Sequence, residues 1–240
     1  MKILIVNDDS ISAPGIAVLA KAAAQIGEVT VVAPAEQCSA LSQKLTLRET
    51  LSVERVMDFP VDVKAAWKVG GTPVDCVKVA LDYILKEKPD LVLSGINNGY
   101  NVGFDIAYSG TLGAAFEAVR NGIPAMAFST SADKYLDAVE PHLLPVIREL
   151  LLEQPEPGAV WNVNFPPIGK RPLQGILRDR TVAATSLFRE NYGEILQPDG
   201  KVHLVCRGRP TADEEIPAGT DAEAVRMGYI SIGKVSSVGF

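Results

Sequence analysis

The 240-residue chain is 47% hydrophobic and 22% charged, with a net charge of −6, the make-up of an ordinary globular protein long enough to bury a sizeable core. The acidic balance and the lack of a Lys/Arg-rich block exclude a general nucleic-acid surface, and no apolar run approaches the roughly 20 residues that span a bilayer. Cys38, Cys76 and Cys206 are too few and too widely spaced for a disulfide framework or a zinc site, and with no signal-peptide pattern a cytoplasmic location is expected.

Ile3 to Val6 is a short apolar run, as expected of a first strand covered on both faces, and it ends abruptly in Asn7-Asp8-Asp9. Ile16, Leu19, Ala20, Ala23 and Ile26 then recur at helical spacing up to Gly27. Val29 to Ala33 predicts a second strand, stopped by Pro34, and Ala35 to Thr46 is a polar loop too long for a plain connection. Leu51 to Val56 and Val61 to Val69 read as a pair of outer strands. Thr72 as N-cap and Pro73 at the first position open a helix carried by Val74, Val77, Leu81, Ile84 and Leu85. Pro89 to Ser94 is another buried strand, followed by a Gly/Asn-rich loop from Gly95 to Gly103. A helix from about Gly110 to Arg120, a strand through Ala125 to Phe128, a helix from Leu136 to Leu152 with Pro141 and Pro145 near its start, and a strand from Val160 to Asn164 complete the series.

This succession predicts an α/β fold over residues 1–165, a Rossmann-like, doubly wound and mostly parallel sheet. Residues 166–218 lose the alternation and contain a hairpin from Glu194 to Val205 around Pro198-Asp199-Gly200, a projecting excursion or oligomer contact. Residues 219–240 return as a helix and a strand.

In an open α/β sheet, ligands bind outside the carboxyl ends of the strands, where Asp8 and Asp9 fall. A dinucleotide site needs glycines in that turn, and two acids would repel a pyrophosphate. A cysteine phosphatase needs an Arg six residues after its Cys, where this chain has Lys44, Asp82 and Ala212. His142 and His203 lie away from the strand ends. A receiver domain also begins with an acidic pair, but its acceptor carboxylate would fall at Gly95, which has nothing to phosphorylate. Oxygen groups do gather at this edge: Asp8 and Asp9 after the first strand, Ser39 after the second, and Asn97, Asn98 and Asn101 after Ser94. Carboxylate, amide and hydroxyl oxygens without His or Cys favour Mg²⁺, Mn²⁺ or Ca²⁺. Tyr108-Ser109-Gly110-Thr111 directly precedes a helix, whose free N–H groups and dipole make an anion seat, although Ser, Thr and Gly also serve as plain caps.

Asn7-Asp8-Asp9 with Ala13-Pro14-Gly15-Ile16, Ala33-Pro34 with Ser39, Gly71-Thr72-Pro73-Val74-Asp75, Ser94-Gly95-Ile96-Asn97 with Asn101, Tyr108-Ser109-Gly110-Thr111, and Gly219-Thr220-Asp221 with Gly228-Tyr229 resemble, in order along nearly the whole chain, the SurE family of stationary-phase survival nucleotidases. The resemblance implies a phosphatase for nucleoside 5′- and 3′-monophosphates, often acting on short polyphosphate, with one divalent metal ion, Mg²⁺ or Mn²⁺. It implies Asp8, Asp9, Ser39 and Asn97 as metal ligands and Asn101, Ser109, Gly110 and Thr111 as phosphate contacts. Asp8 and Asp9 are also the catalytic candidates, one of them as general base, and a homodimer or homotetramer is expected, with neither a nucleic-acid polymer nor a membrane as partner. The chain departs from the family at Ser10 and Ala40, where glycine is usual and φ is less restricted, at Ser12, where His is common, and in the tail from Gly233 to Phe240. These departures carry the alternative of a metal and nucleotide sensor with weakened catalysis.

Overall fold

The computed structural model describes residues 1–131, 133–153, 155–170, 172–197 and 199–236. Strand β1 (Lys2–Val6) lies inside the main sheet between β2 (Glu28–Pro34) and β5 (Leu91–Asn98), parallel to both. Its residues alternate between two cores. Ile3 and Ile5 join the cluster under helices α1 (Pro14–Ala23) and α4 (Leu136–Leu150), while Leu4 and Val6 join the one on the opposite face, under α2 (Pro73–Val79) and α3 (Gly110–Arg120). A strand apolar at every position is thus what a sheet covered on both sides requires. Each such side chain contributes roughly 1.5–3 kcal/mol relative to exposure.

Nine strands form the sheet in the order β3-β4-β2-β1-β5-β6-β7-β11-β8, with β3 (Val53–Val56), β4 (Ala65–Val69), β6 (Ala125–Thr130), β7 (Ala159–Phe165), β8 (Gly175–Leu177) and β11 (Tyr229–Ser236). Pairing is parallel from β4 through β7, whereas β3 runs antiparallel to β4 and β11 antiparallel to β7. The chain moves outward from β1 to β2 in one direction and from β5 to β6 and β7 in the other. The crevice between β1 and β5 is therefore the topological switch point, the place where such folds hold ligands.

Several boundaries differ from those read in the sequence. The outer strands are shorter: Val61 and Val63 pack on the core from the loop before β4. Pro141 and Pro145 lie inside α4, both on its exposed side, where water serves the carbonyls that lose a helical donor. Leu81 and Ile84 stand in or beside a π turn, Ala80–Ile84, that continues α2. Asn97 and Asn98 end strand β5, where a loop was expected. The register with β6 shifts between Ser94 and Asn97, and a Cβ at Gly95 would lie 2.3 Å from the Phe128 carbonyl oxygen. Glycine in this strand reflects close backbone approach.

The hairpin is longer than expected, β9 (Phe188–Leu196) against β10 (Val202–Pro210), and forms a separate two-stranded sheet. Nearly all of its residues are exposed. Pro198 of its turn and residues 237–240 of the tail lie outside the described residues. Helix α5 (Asp221–Met227) leads into β11.

Candidate active site at the switch point

After Val6 the chain leaves the sheet in a tight loop. Asn7 Nδ2 donates to the Ser10 carbonyl at 2.7 Å, Ile11 N–H donates to the Pro34 carbonyl at 2.9 Å, and Ser10 takes a φ of 93°. This curl places Asp8 and Asp9 beside different neighbours. Asp9 Oδ2 accepts the Asn98 backbone N–H at 2.7 Å, bridging the ends of β1 and β5. Asp8 turns to the start of α3, where Thr111 Oγ1 donates to Oδ1 at 2.6 Å. A Cβ at Gly110 would stand 2.9 Å from the Asp8 Cβ, so the helix approaches this closely because the residue is glycine.

Asp8 is only 4% exposed. Burial pushes its carboxyl up from 3.8 to about 6; hydrogen bonds from Thr111 oppose the rise, and the charge of Asp9 adds to it. Among the described residues, no Lys or Arg forms an ion pair with Asp8. A desolvated carboxylate lacking its own counter-charge, with a second acid beside it, is an environment that a cation would relieve.

The loop from Ala35 to Thr46 is tied at several points. Cys38 N–H donates to the Asp8 carbonyl at 2.7 Å and Ser42 N–H to the Tyr108 carbonyl at 3.0 Å, which ties the segment on either side of Ser39 to Asp8 and to the residues before α3. Ser39 itself is exposed, its Oγ accepting from Gln37 Nε2 at 3.0 Å. The far end is held by Asp75, which is buried in the first turn of α2 and completes a capping box with Thr72. The same carboxylate accepts Thr46 N–H at 3.0 Å and Thr46 Oγ1 at 2.7 Å. Burial alone would raise Asp75, but the hydrogen bonds from Thr72 and Thr46 outweigh it and hold the group below its usual value.

On the β5 side, Asn97 Nδ2 donates to the Gly99 carbonyl at 2.8 Å, which fixes its amide and leaves Oδ1 as the atom suited to a cation. Asn101 sits further along the edge in a buried amide network. Its N–H donates to Asn164 Oδ1 at 2.9 Å, its Nδ2 to Ser129 Oγ at 2.8 Å, and its carbonyl accepts from Asn162 Nδ2 and Asn164 Nδ2. Sequence reasoning passed over Ser129, Asn162 and Asn164. The signal was available: two asparagines at alternate positions interrupt the otherwise apolar run Val160 to Phe165. Asp221 carries no signal in the sequence outside the family pattern. It accepts Gly103 N–H at 3.0 Å and Ala183 N–H at 2.9 Å, closing the loop after β5 against α5.

Ser109 is the N-cap of α3, its Oγ accepting Leu112 N–H at 3.1 Å. The capping role is therefore real, and it leaves the Ser109 hydroxyl proton available to a ligand. The hydroxyl of Thr111 is engaged by Asp8. Asp8, Gly110 and Thr111 thus meet directly, Asp9 is bonded to the Asn98 end of β5, and Ser39 follows Cys38, which is tied to Asp8. Asn101 is held one strand further along, by β6 and β7.

Among the described residues, no group of three His, Cys, Asp or Glu side chains has the spacing of a metal cluster. The oxygens here are two carboxylates with a neutral hydroxyl and a neutral amide, a donor set that fits Mg²⁺ or Mn²⁺ and leaves room for water and phosphate oxygens. A cleft of about 390 Å³ beside Lys2, Arg55 and Trp67 opens at the opposite edge of the sheet and shares none of these residues.

Residues 3–194 match the profile of the family described as survival protein SurE. The chain is 39% identical over 237 residues to the 5′-nucleotidase SurE of Synechococcus sp., covering 97% of this chain and 90% of that protein. It is 40% identical over 239 residues to 5′-nucleotidase SurE 1 of Thermus thermophilus, covering 98% and 92%. The crystal structure of the SurE protein from Aquifex aeolicus superposes with a TM-score of 0.82 at 33% identity, covering 98% of this chain and 93% of that one.

Proposed function

The chain belongs to the SurE survival-protein family, and from that premise we propose that it is a divalent-metal-dependent phosphomonoesterase. Its substrates in this reading are nucleoside 5′-monophosphates, with 3′-monophosphates and short polyphosphates as further ones. The observation that carries the reading is the meeting of Asp8, Asp9 and the start of α3 at the β1/β5 switch point. A buried acid, Asp8, with which no Lys or Arg among the described residues forms an ion pair, stands beside a helix terminus suited to phosphate.

Asp8, Asp9, Ser39 and Asn97 would hold the metal ion. When bound, Mg²⁺ or Mn²⁺ supplies charge neutralisation at a phosphoryl oxygen and a more acidic water. Thr111 keeps Asp8 in place through its hydroxyl. Ser109, with its hydroxyl proton, and the free N–H groups of the first turn of α3 orient the phosphoryl oxygens from the other side. Asn101, fixed by Ser129, Asn162 and Asn164, supports the same group from the β6 side. One of the carboxylates of Asp8 and Asp9 is the acceptor for the proton of the attacking water.

We further propose self-association as a homodimer or homotetramer through the hairpin. Antiparallel register puts Phe188, Tyr192, Leu196, Val202 and Leu204 on one face of β9 and β10, all of them exposed. A lone two-stranded ribbon is marginal in water, and a second copy would cover that face. Among the described residues, no helix is long and apolar enough to cross a membrane.

A panel of nucleoside monophosphates assayed for phosphate release with Mg²⁺, Mn²⁺ and Co²⁺ tests the reading, with Asp9→Asn expected to lose activity by on the order of 100-fold or more. Near-normal kcat in that variant at saturating Mn²⁺ refutes the metal site. Tight nucleotide binding without phosphate release by the unaltered protein would instead support the sensor.

A further inference from the structure

A second cleft, about 370 Å³ in volume, opens at the same carboxyl edge of the sheet and is lined by Tyr100, Lys134, Tyr135, Lys170 and Arg226. Tyr100 belongs to the segment between Asn97 and Asn101, so the wall of this cleft and the proposed ligands share one short stretch of chain. Lys134 and Tyr135 follow β6 by a few residues. Strand β6 stands two places from β1 in the sheet, about 10 Å at ordinary strand spacing. That is the reach of a nucleoside extended from a phosphoryl group held at Asp8 and Asp9.

The charge of the cleft runs against that of the molecule. The chain carries −6 overall, yet three cations converge here. Arg226 is already engaged, donating to the Thr211 carbonyl at 2.6 Å and pairing with Asp213 at 2.9 Å. Lys134 and Lys170 are different. Among the described residues, neither forms an ion pair with a carboxylate, and the Lys134 ammonium rests 5.1 Å from the centre of the Tyr135 ring. Two exposed ammonium groups, one of them resting on an aromatic face and neither ion-paired among the described residues, suit a second anionic group on a molecule that also carries a ring.

We propose that this cleft is a subsite for a second, non-scissile phosphate, so that nucleotides phosphorylated at two positions, such as nucleoside 3′,5′-bisphosphates, are preferred over simple monophosphates. Lys134 and Lys170 receive the remote phosphate while the other phosphate occupies the site at Asp8 and Asp9. Tyr135 and Tyr100 flank the sugar and base between them. The proposal rests on the phosphatase reading for the scissile end and adds the recognition of the far end.

The test compares kcat/KM of the full chain with Mn²⁺ on 4-nitrophenyl phosphate, adenosine 5′-monophosphate and adenosine 3′,5′-bisphosphate, in the unaltered protein and in Lys134→Ala, Lys170→Ala and the double variant. The unaltered protein should favour the bisphosphate over the monophosphate. The double variant should lose about tenfold or more on the bisphosphate and stay within about twofold on 4-nitrophenyl phosphate, which has no second anion to bind. Equal losses on all three substrates, or a bisphosphate preference that survives both substitutions, overturns the subsite. If the unaltered protein hydrolyses none of them, the phosphatase reading fails, and calorimetric binding of the bisphosphate decides the subsite by itself. Affinity weakened by the lysine substitutions upholds it, and unchanged affinity removes it.

Discussion

Asp8 is a nearly buried carboxylate with which no Lys or Arg among the described residues forms an ion pair, and this has a cost before any ligand arrives. Its carboxyl, raised from 3.8 to about 6 by burial, binds its proton more tightly folded than unfolded. Between those two pH values, stability therefore falls as pH rises, and above about 6 the penalty levels off on the order of 3 kcal/mol at most. Asp8→Asn should accordingly abolish turnover while making the metal-free protein more stable at pH 7, with the gain vanishing below pH 4; urea unfolding in chelator at both pH values checks this. Ser10 and Ala40 give a second expectation. Both stand at positive φ, 93° and 58°, the backbone that the family's usual glycines adopt without strain. Ala40→Gly should stabilise the loop by about 1 kcal/mol, left-handed strain outweighing the extra freedom of unfolded glycine. An unfolding midpoint that shifts upward with unchanged slope is the measurement.

At the scale of elements, the site is two loops and a helix start held to a rigid sheet by side chains outside the candidate ligand set. Asp75 is the clearest of these, since one buried carboxylate caps α2 and also anchors Thr46 at the end of the Ser39 loop. Asp75→Ala should destabilise the protein by roughly 2–4 kcal/mol through the lost hydrogen bonds and speed proteolytic cleavage between residues 35 and 46. Ser39→Ala should leave that cleavage rate unchanged, which separates anchoring from any part in metal binding. The order of elements was legible because each buries a patterned face, as in β1, where every position is apolar. The N-cap at Thr72 and the helix start at Ser109 were legible from local chemistry. The extension of β5 through Asn97 and Asn98 was hidden, because glycine and asparagine there look like a loop while tertiary contact with β6 holds them in a strand. The amide network around Asn101 was hidden for a related reason: its partners, Ser129, Asn162 and Asn164, come from two later strands and converge only through sheet register.

For the whole molecule, the switch point between β1 and β5 explains why residues far apart in sequence serve one crevice. The hairpin follows a different logic, with polar and apolar residues alternating across a ribbon that the rest of this chain leaves exposed. Replacing Leu196 and Leu204 together by Lys should lower the sedimentation coefficient to that of a monomer while the thermal transition of the α/β core persists. An unchanged sedimentation coefficient would remove the hairpin from the assembly. The bond from Gly103 to Asp221 spans 118 residues of chain and, with Ala183 on the same carboxylate, closes the loop after β5 using the last helix. Long-range contacts of this kind form late. A chain still emerging from the ribosome can build the sheet around β1 and β5 and still lack a finished site, so competence at the crevice should appear only once the chain has been made through Asp221 and α5.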